Sequence, residues 1–513
     1  MQCPGSHQQS GGRSAYPGGQ RPVLLTIIAV VVLATPAAYF WISKHPRSSA
    51  AAFSPPPHSI AVLPFVNMSG DKEQEYFAEG LTEEILNSLA DINTLQVAAR
   101  TSSFYFKGKD VDLGTVAHKL NVAAVLEGSV RRSGNTVRIT TQLINAVTGY
   151  HLWSHTYDRD LGDVLKLETE IAGAVASALK VSLLGDVATK IELGGTRNPA
   201  AFDAYLRGSK AFTSGIRNEE LFLRAIAAYT EAIRLDPNYA LAFAGRSNAY
   251  TGYAQEFATG AGIQEAFQKA QADAHQAIKL APELAEGHWA LARFLSNGSL
   301  DFARANEEFE RALALAPGNA QVLGESGRFA AYMGRFDAGI AAAHRAVALD
   351  PLNPRSHDLL GQSLFLARRY EETFAAFAEV ITLDPNYTAA YQFRGFAYYG
   401  LGNLESARST CETKPDYWGT QHCLAVVYDK VGRHADAEAE LAKLKAAAGD
   451  AAAYQYAAIY VQWGNTAKAL EWLDTAMRLR DPGLVQLKTD PLMDPLRKEP
   501  RFQALMRELK FPN

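Results

Sequence analysis

Gly128, Arg131, Arg132 and Gly134 fall at the tip of an expected hairpin and are of the types that hold an anion. Two guanidiniums and glycine-freed backbone amides suit phosphate; the plainer alternative is a solvated hairpin end. His151 and His155 lie four apart on an expected strand, hence on one face. No Cys, Asp or Glu stands beside them at ligand spacing, so no metal is expected. Cys411 and Cys423 are a candidate disulfide: they pair in an oxidising compartment and stay free thiols in a reducing one. The sequence has no GxxxxGK followed by Ser or Thr, no HExxH, no GxSxG and no CxxC. No catalytic residue and no cofactor are expected, and the chain reads as a non-enzyme.

Composition narrows the field further. The 513 residues carry 50 Lys+Arg against 54 Asp+Glu, a net charge of −4. That balance offers no basic field for nucleic acid, which is not expected as a partner. Apolar residues are 48% and charged residues 20%, enough for packed cores and against wholesale disorder. Three cysteines exclude a disulfide-built scaffold. At roughly 100–200 residues per domain, the length predicts two to four folded units.

Residues 1–22 are rich in Gly, Ser and Gln and read as a disordered tail. Residues 23–42, VLLTIIAVVVLATPAAYFWI, contain no charge, and eleven of them are Val, Leu, Ile or Phe. Twenty helical residues span roughly 30 Å, a bilayer core, and Tyr39 and Trp41 sit where an aromatic belt belongs. This predicts one N-terminal transmembrane helix, an uncleaved anchor for the membrane, with a cleaved signal peptide as the rival reading. Arg13 and Arg21 on one side are balanced by Lys44 and Arg47 on the other, so charge sets no orientation. Residues 43–57, ending in Pro55, Pro56 and Pro57, form a stiff linker.

Residues 58–185 mix strand and helix signals. Ile60–Val66 is an apolar run of strand length. Phe77, Leu81, Ile85 and Leu89 recur every four residues, one stripe of an amphipathic helix. Val137, Ile139, Thr141 and Leu143 alternate with polar residues, and Ser133-Gly134-Asn135 joins them to residues 122–131 as a hairpin. Another strand follows at 149–157, then a long helix over 161–184. The expected fold is a small α/β domain with a mixed sheet.

The stretches SIAVLPFVNMSGD (59–71), YFAEGLTEEILNSLA (76–90), VAARTSSFYFKG (97–108) and VLEGSVRRSGNTVRITTQLINAVTGYHLWSHTYDRDL (125–161) carry a resemblance. They resemble the TolB amino-terminal-like domain, a family often joined to tetratricopeptide repeats in bacterial adenylate cyclases and membrane-anchored regulators. His155 departs from the family, where an acidic residue is commoner. The resemblance implies an accessory or sensory role and a periplasmic bulk, with the N-terminus cytoplasmic and the anchor in a bacterial inner membrane. It supplies no catalytic residue.

After a linker at 186–198, the chain becomes Ala-rich and periodic. Pro237, Pro282, Pro317, Pro351 and Pro385 are spaced by 45, 35, 34 and 34 residues. A period of 34 is that of the tetratricopeptide repeat, a helix-turn-helix unit, and proline cannot continue a helix. Gly327, Gly361 and Gly395, also 34 apart, mark a close-packing position; Gly334, Gly402, Gly432 and Gly464 mark turns. Residues 199–488 thus predict an all-α superhelix of eight repeats, the second enlarged by a longer inter-helix loop, and 489–513 a capping helix. Its inner groove would be lined by Arg328, Tyr332, Gln362, Phe365, Gln392, Phe396 and Tyr399, suited to an extended peptide or a helix. The same aromatics would equally serve to fill the stack. Chaperone-tail binding is disfavoured, since only Asn248 matches a carboxylate-capturing position. The overall expectation is a membrane-anchored scaffold that binds proteins or peptides. The alternative is a ligand-sensing regulatory subunit signalling through the anchor to a cytoplasmic partner.

Overall fold

The computed structural model describes residues 53–512 apart from 91, 93, 161–162, 182–192, 213–218 and 259–260. The expected tail, membrane span and most of the first linker lie outside those residues. Among the described residues, no helix is long and apolar enough to cross a membrane.

A mixed sheet opens the chain, in the order β3-β1-β4-β5-β6 with β2 beside β4. β1 (Ser59–Val62) is wholly buried and runs parallel to β3 (Gln96–Val97) and β4 (Ala124–Ser133). The expected strand 60–66 breaks at Pro64, which has no N–H for the ladder. Leu63 N still donates to Leu126 O, but Phe65 N turns to Thr82 Oγ1 (3.0 Å) before β2 (Val66–Asn67) resumes beside β4. β4 and β5 (Thr136–Asn145) pair in unbroken register around Gly134, whose φ of 59° suits glycine. β6 (His151–Asp160) closes the far side.

One face of the sheet carries the helices Glu75–Ala90 and Val164–Ala178, the latter shorter than the expected 161–184. Phe77, Leu81, Ile85 and Leu89 form one core with Leu126, Ile139, Leu143, Ile171 and Val175. Phe202 and Leu206, from the first repeat helix, enter the same core, so the sheet and the repeats share buried apolar surface. The contact is close: a Cβ on Gly80 would sit 2.6 Å from the Leu206 methyls.

Eight helix pairs follow among the described residues, from Pro199–Phe212 with Glu219–Leu235 to Ala453–Gln462 with Thr466–Leu479. Each proline of the 34-residue series stands two residues past a helix end, as at Leu315/Pro317 and Leu349/Pro351. The second pair is not enlarged by a loop, as the 45-residue spacing had implied. Its helices, Ala240–Glu256 and Ala261–Leu280, run 17 and 20 residues where the fourth pair has 13 and 14. Turn glycines Gly334, Gly402, Gly432 and Gly464 all take positive φ; the fifth repeat puts Arg368 there instead, at φ 62°.

The repeats meet the sheet a second time. Ala99 N donates to Leu349 O (2.7 Å) beyond the short edge β3. The buried Asp350 carboxylate accepts from Ser102 N (2.9 Å), Ser102 Oγ (2.6 Å) and Asn353 Nδ2 (2.7 Å). Beside this seam a cleft of about 260 Å³ is lined by Gln96, Leu120, Pro317, Arg345 and Leu349 among others.

Candidate functional site

The expected groove residues lie on the helices Ala320–Tyr332, Pro354–Leu366 and Thr388–Gly400, the first helices of the fourth, fifth and sixth pairs. They are not free. Gln362, Phe365, Gln392 and Phe396 are 3–6% exposed. Phe365 packs its ring on Tyr370, Phe393 and Phe396, so it fills the stack. Between them runs an ionic network: Glu325 accepts from Arg328 (2.5 Å) and Arg355 (2.9 Å), and Arg355 reaches Asp358 (2.8 Å). Gln362 and Tyr387 also donate to Asp358, which is fully buried. Burial works to raise the Glu325 pKa, but Arg328, Arg355 and Arg293 outweigh it and hold the carboxyl well below its usual range. A permanently ionised pair of this kind fastens successive helices; it is not poised for proton transfer.

The chain's own C-terminal segment lies over this surface. Within the expected capping helix, 489–513, the structure has a 3-10 turn, Pro491–Leu496, and a short helix, Pro500–Glu508; a further 3-10 turn, Pro482–Gln486, precedes them at the end of the expected repeats. Val485 packs in the pocket of Arg293, Glu325, Arg328 and Tyr332. Thr489 Oγ1 donates to Tyr332 O (3.3 Å), and Arg368 pairs with Asp494 (2.8 Å). Tyr399 Oη donates to Gln462 Oε1 (2.8 Å), while Gln462 Nε2 donates to Leu492 O. The Phe511 ring stacks on Phe302 at 4.7 Å. Leu484, Leu487, Met493, Phe502 and Leu505 are fully buried, so the segment is both a cap on the eighth pair and a strap reaching back to the third.

Local chemistry explains its course. Asp481 precedes Pro482 and accepts from Gly483 N and Tyr454 N; Asp490 precedes Pro491 and accepts from Leu492 N and Tyr454 Oη. Two Asp-Pro turns, each followed by apolar residues, were the available sequence signal. They start turns too closely spaced for one helix. Burial raises the Asp481 pKa to about 6, against its backbone hydrogen bonds.

The anion cradle does not assemble. Arg131 and Arg132 are neighbours on β4 and face opposite sides of the sheet. Arg131 is opposite Arg138 on the outer face; Arg132 turns inward to Gln74 Oε1 (3.2 Å) and Asp203 (3.6 Å), bracing the first repeat helix. A Cβ on Gly128 would lie 2.5 Å from Thr140 O, so that glycine serves strand packing. His151 and His155 are also separated. Leu143 pairs with Trp153 but Ile144 with His151, so Leu152 is bulged and the two histidines fall on opposite faces. Among the described residues no group of three His, Cys, Asp or Glu is placed to hold a metal. Asn248 is buried and its Oδ1 accepts from Arg293 (2.9 Å). Cys411 and Cys423 are bonded to each other in the structure, against Gly395, where any Cβ would collide with Cys411 Sγ.

No protein-family profile matches the chain. It is 38% identical over 262 residues to a Rhizobium meliloti protein that carries the name adenylate cyclase 3, covering 50% of this chain. The chain spans only 43% of that relative's length. Structural neighbours are tetratricopeptide repeat proteins. One from Parabacteroides merdae has TM-score 0.38 at 14% identity, covering 52% of this chain and 98% of its own. PilF of Pseudomonas aeruginosa has TM-score 0.31 at 19% identity, covering 39% and 91%.

Proposed function

We propose that the chain is a membrane-anchored protein-interaction scaffold. Residues 23–42 hold it in a bacterial inner membrane, and a TolB-like α/β domain with its repeats stands in the periplasm. It binds protein partners and catalyses no reaction. The observation that supports this most is the union of the sheet with eight helix pairs through two seams, at Gly80/Leu206 and Ser102/Asp350. That construction makes a rigid platform with long rims of side chains. The inner face is committed to the C-terminal strap, so partners are met on outer surfaces.

Protease treatment of spheroplasts, with a cytosolic protein as intactness control, tests the location. Digestion of the α/β and repeat regions with the control intact is expected. Protection of both would remove the periplasmic placement and turn the search to cytosolic partners.

A second reading, a regulatory subunit that senses a ligand and signals through the anchor, draws on the 262-residue segment shared with the Rhizobium protein. The divergence of Arg131 and Arg132 weighs against a small anion as that ligand. Titration with inorganic phosphate separates the readings: binding lost in both Arg131→Ala and Arg132→Ala would restore the second.

A further inference from the structure

The sheet has two edges, and they are treated differently. β3 is two residues long, and just beyond it Ala99 and Ser102 are tied to the turn at Leu349–Asn353 of the repeats. β6 is ten residues long, and among the described residues β5 is its one strand partner. Among the described residues its outer edge therefore has no strand partner, and its N–H and C=O groups are a template for another strand. Folded proteins guard such edges with lysine, proline, charge or a bulge. Here the bulge at Leu152 and the charges Asp158, Arg159 and Asp160 lie toward the two ends, and Trp153–Tyr157 between them has neither charge nor proline. Beside the edge stand Val147, Tyr150 and Leu152, exposed by 53%, 76% and 43%. Three large apolar groups in six residues, next to an unguarded strand, form a surface that water leaves unsatisfied.

The charge order along β6 identifies the occupant. Gly149–Tyr157 contains no Asp, Glu, Lys or Arg, and all three charges follow at 158–160. A second β6 laid antiparallel about a twofold axis near Ser154–His155 places each charged end against the other copy's uncharged start. With Ser154 on the axis, no like charges are opposed, Trp153 comes opposite His155 of the second copy, and Leu152 comes opposite Thr156.

We propose that this chain forms a homodimer through antiparallel pairing of its β6 edges, joining two six-stranded sheets into one. The contact is small, so the dimer is reversible and concentration-dependent.

Charge-reversal pairs at Ser154, exposed on β6, test it in the full chain held in a mild detergent. Sedimentation velocity of the wild type across about a hundredfold concentration range should show monomer passing to dimer. Ser154→Lys alone and Ser154→Glu alone, each setting like charges side by side across the axis, should weaken association at least tenfold. An equimolar mixture of the two should recover it. Far-ultraviolet circular dichroism checks that each variant is folded, and the recovery itself needs both to be. A wild type that stays monomeric, a Ser154→Lys chain that dimerises undiminished through another surface, or a mixture that fails to associate would each overturn the proposal.

Discussion

His422 gives the sharpest test of how the stack is packed. It is 5% exposed, neither ring nitrogen has a hydrogen-bond partner among the described residues, and its ring meets Phe396 edge-on at 5.0 Å. Burial alone pushes its pKa down to about 3. A free histidine titrates near 6.5, so between those values the unfolded chain binds a proton that the folded chain refuses. Stability contributed by the neutral ring is complete above about pH 6.5 and is lost progressively as pH falls toward 3. At pH 5 the gap is about 1.5 pH units, or about 2 kcal/mol at 1.36 kcal/mol per unit. His422→Leu removes the titration and the unpaired ring nitrogens. It should stabilise by about 1–3 kcal/mol at pH 7.5, the cost of an unsatisfied buried polar group. The advantage over wild type should then widen by about 2 kcal/mol at pH 5. Urea unfolding of both proteins at pH 7.5, 6 and 5 measures this, and taking the difference cancels every other titrating group. An advantage that stays constant across that range would refute the reasoning.

Three further perturbations address the seams and the disulfide. Ser102→Ala removes one donor to the buried Asp350 carboxylate and the acceptor for Leu352 N. A loss of about 1.5–3 kcal/mol is expected, with faster hydrogen exchange confined first to residues 98–106 and 349–353. Gly80→Val drives a branched side chain into Leu206, so thermal unfolding should drop by several degrees, and Leu206→Ala in the same chain should recover part of it. Reducing the Cys411–Cys423 bond, or replacing both with Ser, should cost about 3 kcal/mol for so short a loop. Dithiothreitol should then shift the wild type in denaturation and leave the double variant unmoved.

The parts of this fold that show in the sequence are those with local causes. Proline two residues past a helix, glycine where φ is positive, and a four-residue apolar stripe each act within one turn, so the helix pairs and the β4–β5 hairpin are readable. The bulge at Leu152 is set by how β6 meets β5, and no local residue type announces it. That is why His151 changes face unseen. Likewise the enlarged second repeat could lengthen by loop or by helix, and its spacing is the same either way. The groove residues lie on the first helices of three successive pairs, yet the segment that packs against several of them comes from residues 482–512. Ser102 and Asp350 are 248 residues apart, and neither carries any mark of the other.

A stack of helix pairs ordinarily behaves as a one-dimensional array, each unit stabilised by its neighbours and able to melt alone. The strap at residues 482–512 abolishes that independence. Through Thr489–Tyr332, Arg368–Asp494 and Phe302–Phe511 it ties the eighth pair to the third, fourth and fifth. The distal repeats are therefore expected to melt as one cooperative block, and that block is complete only once residues 482–512 are in place. A chain cut short before Pro482 loses the closure of six repeats, a cost far beyond the length removed.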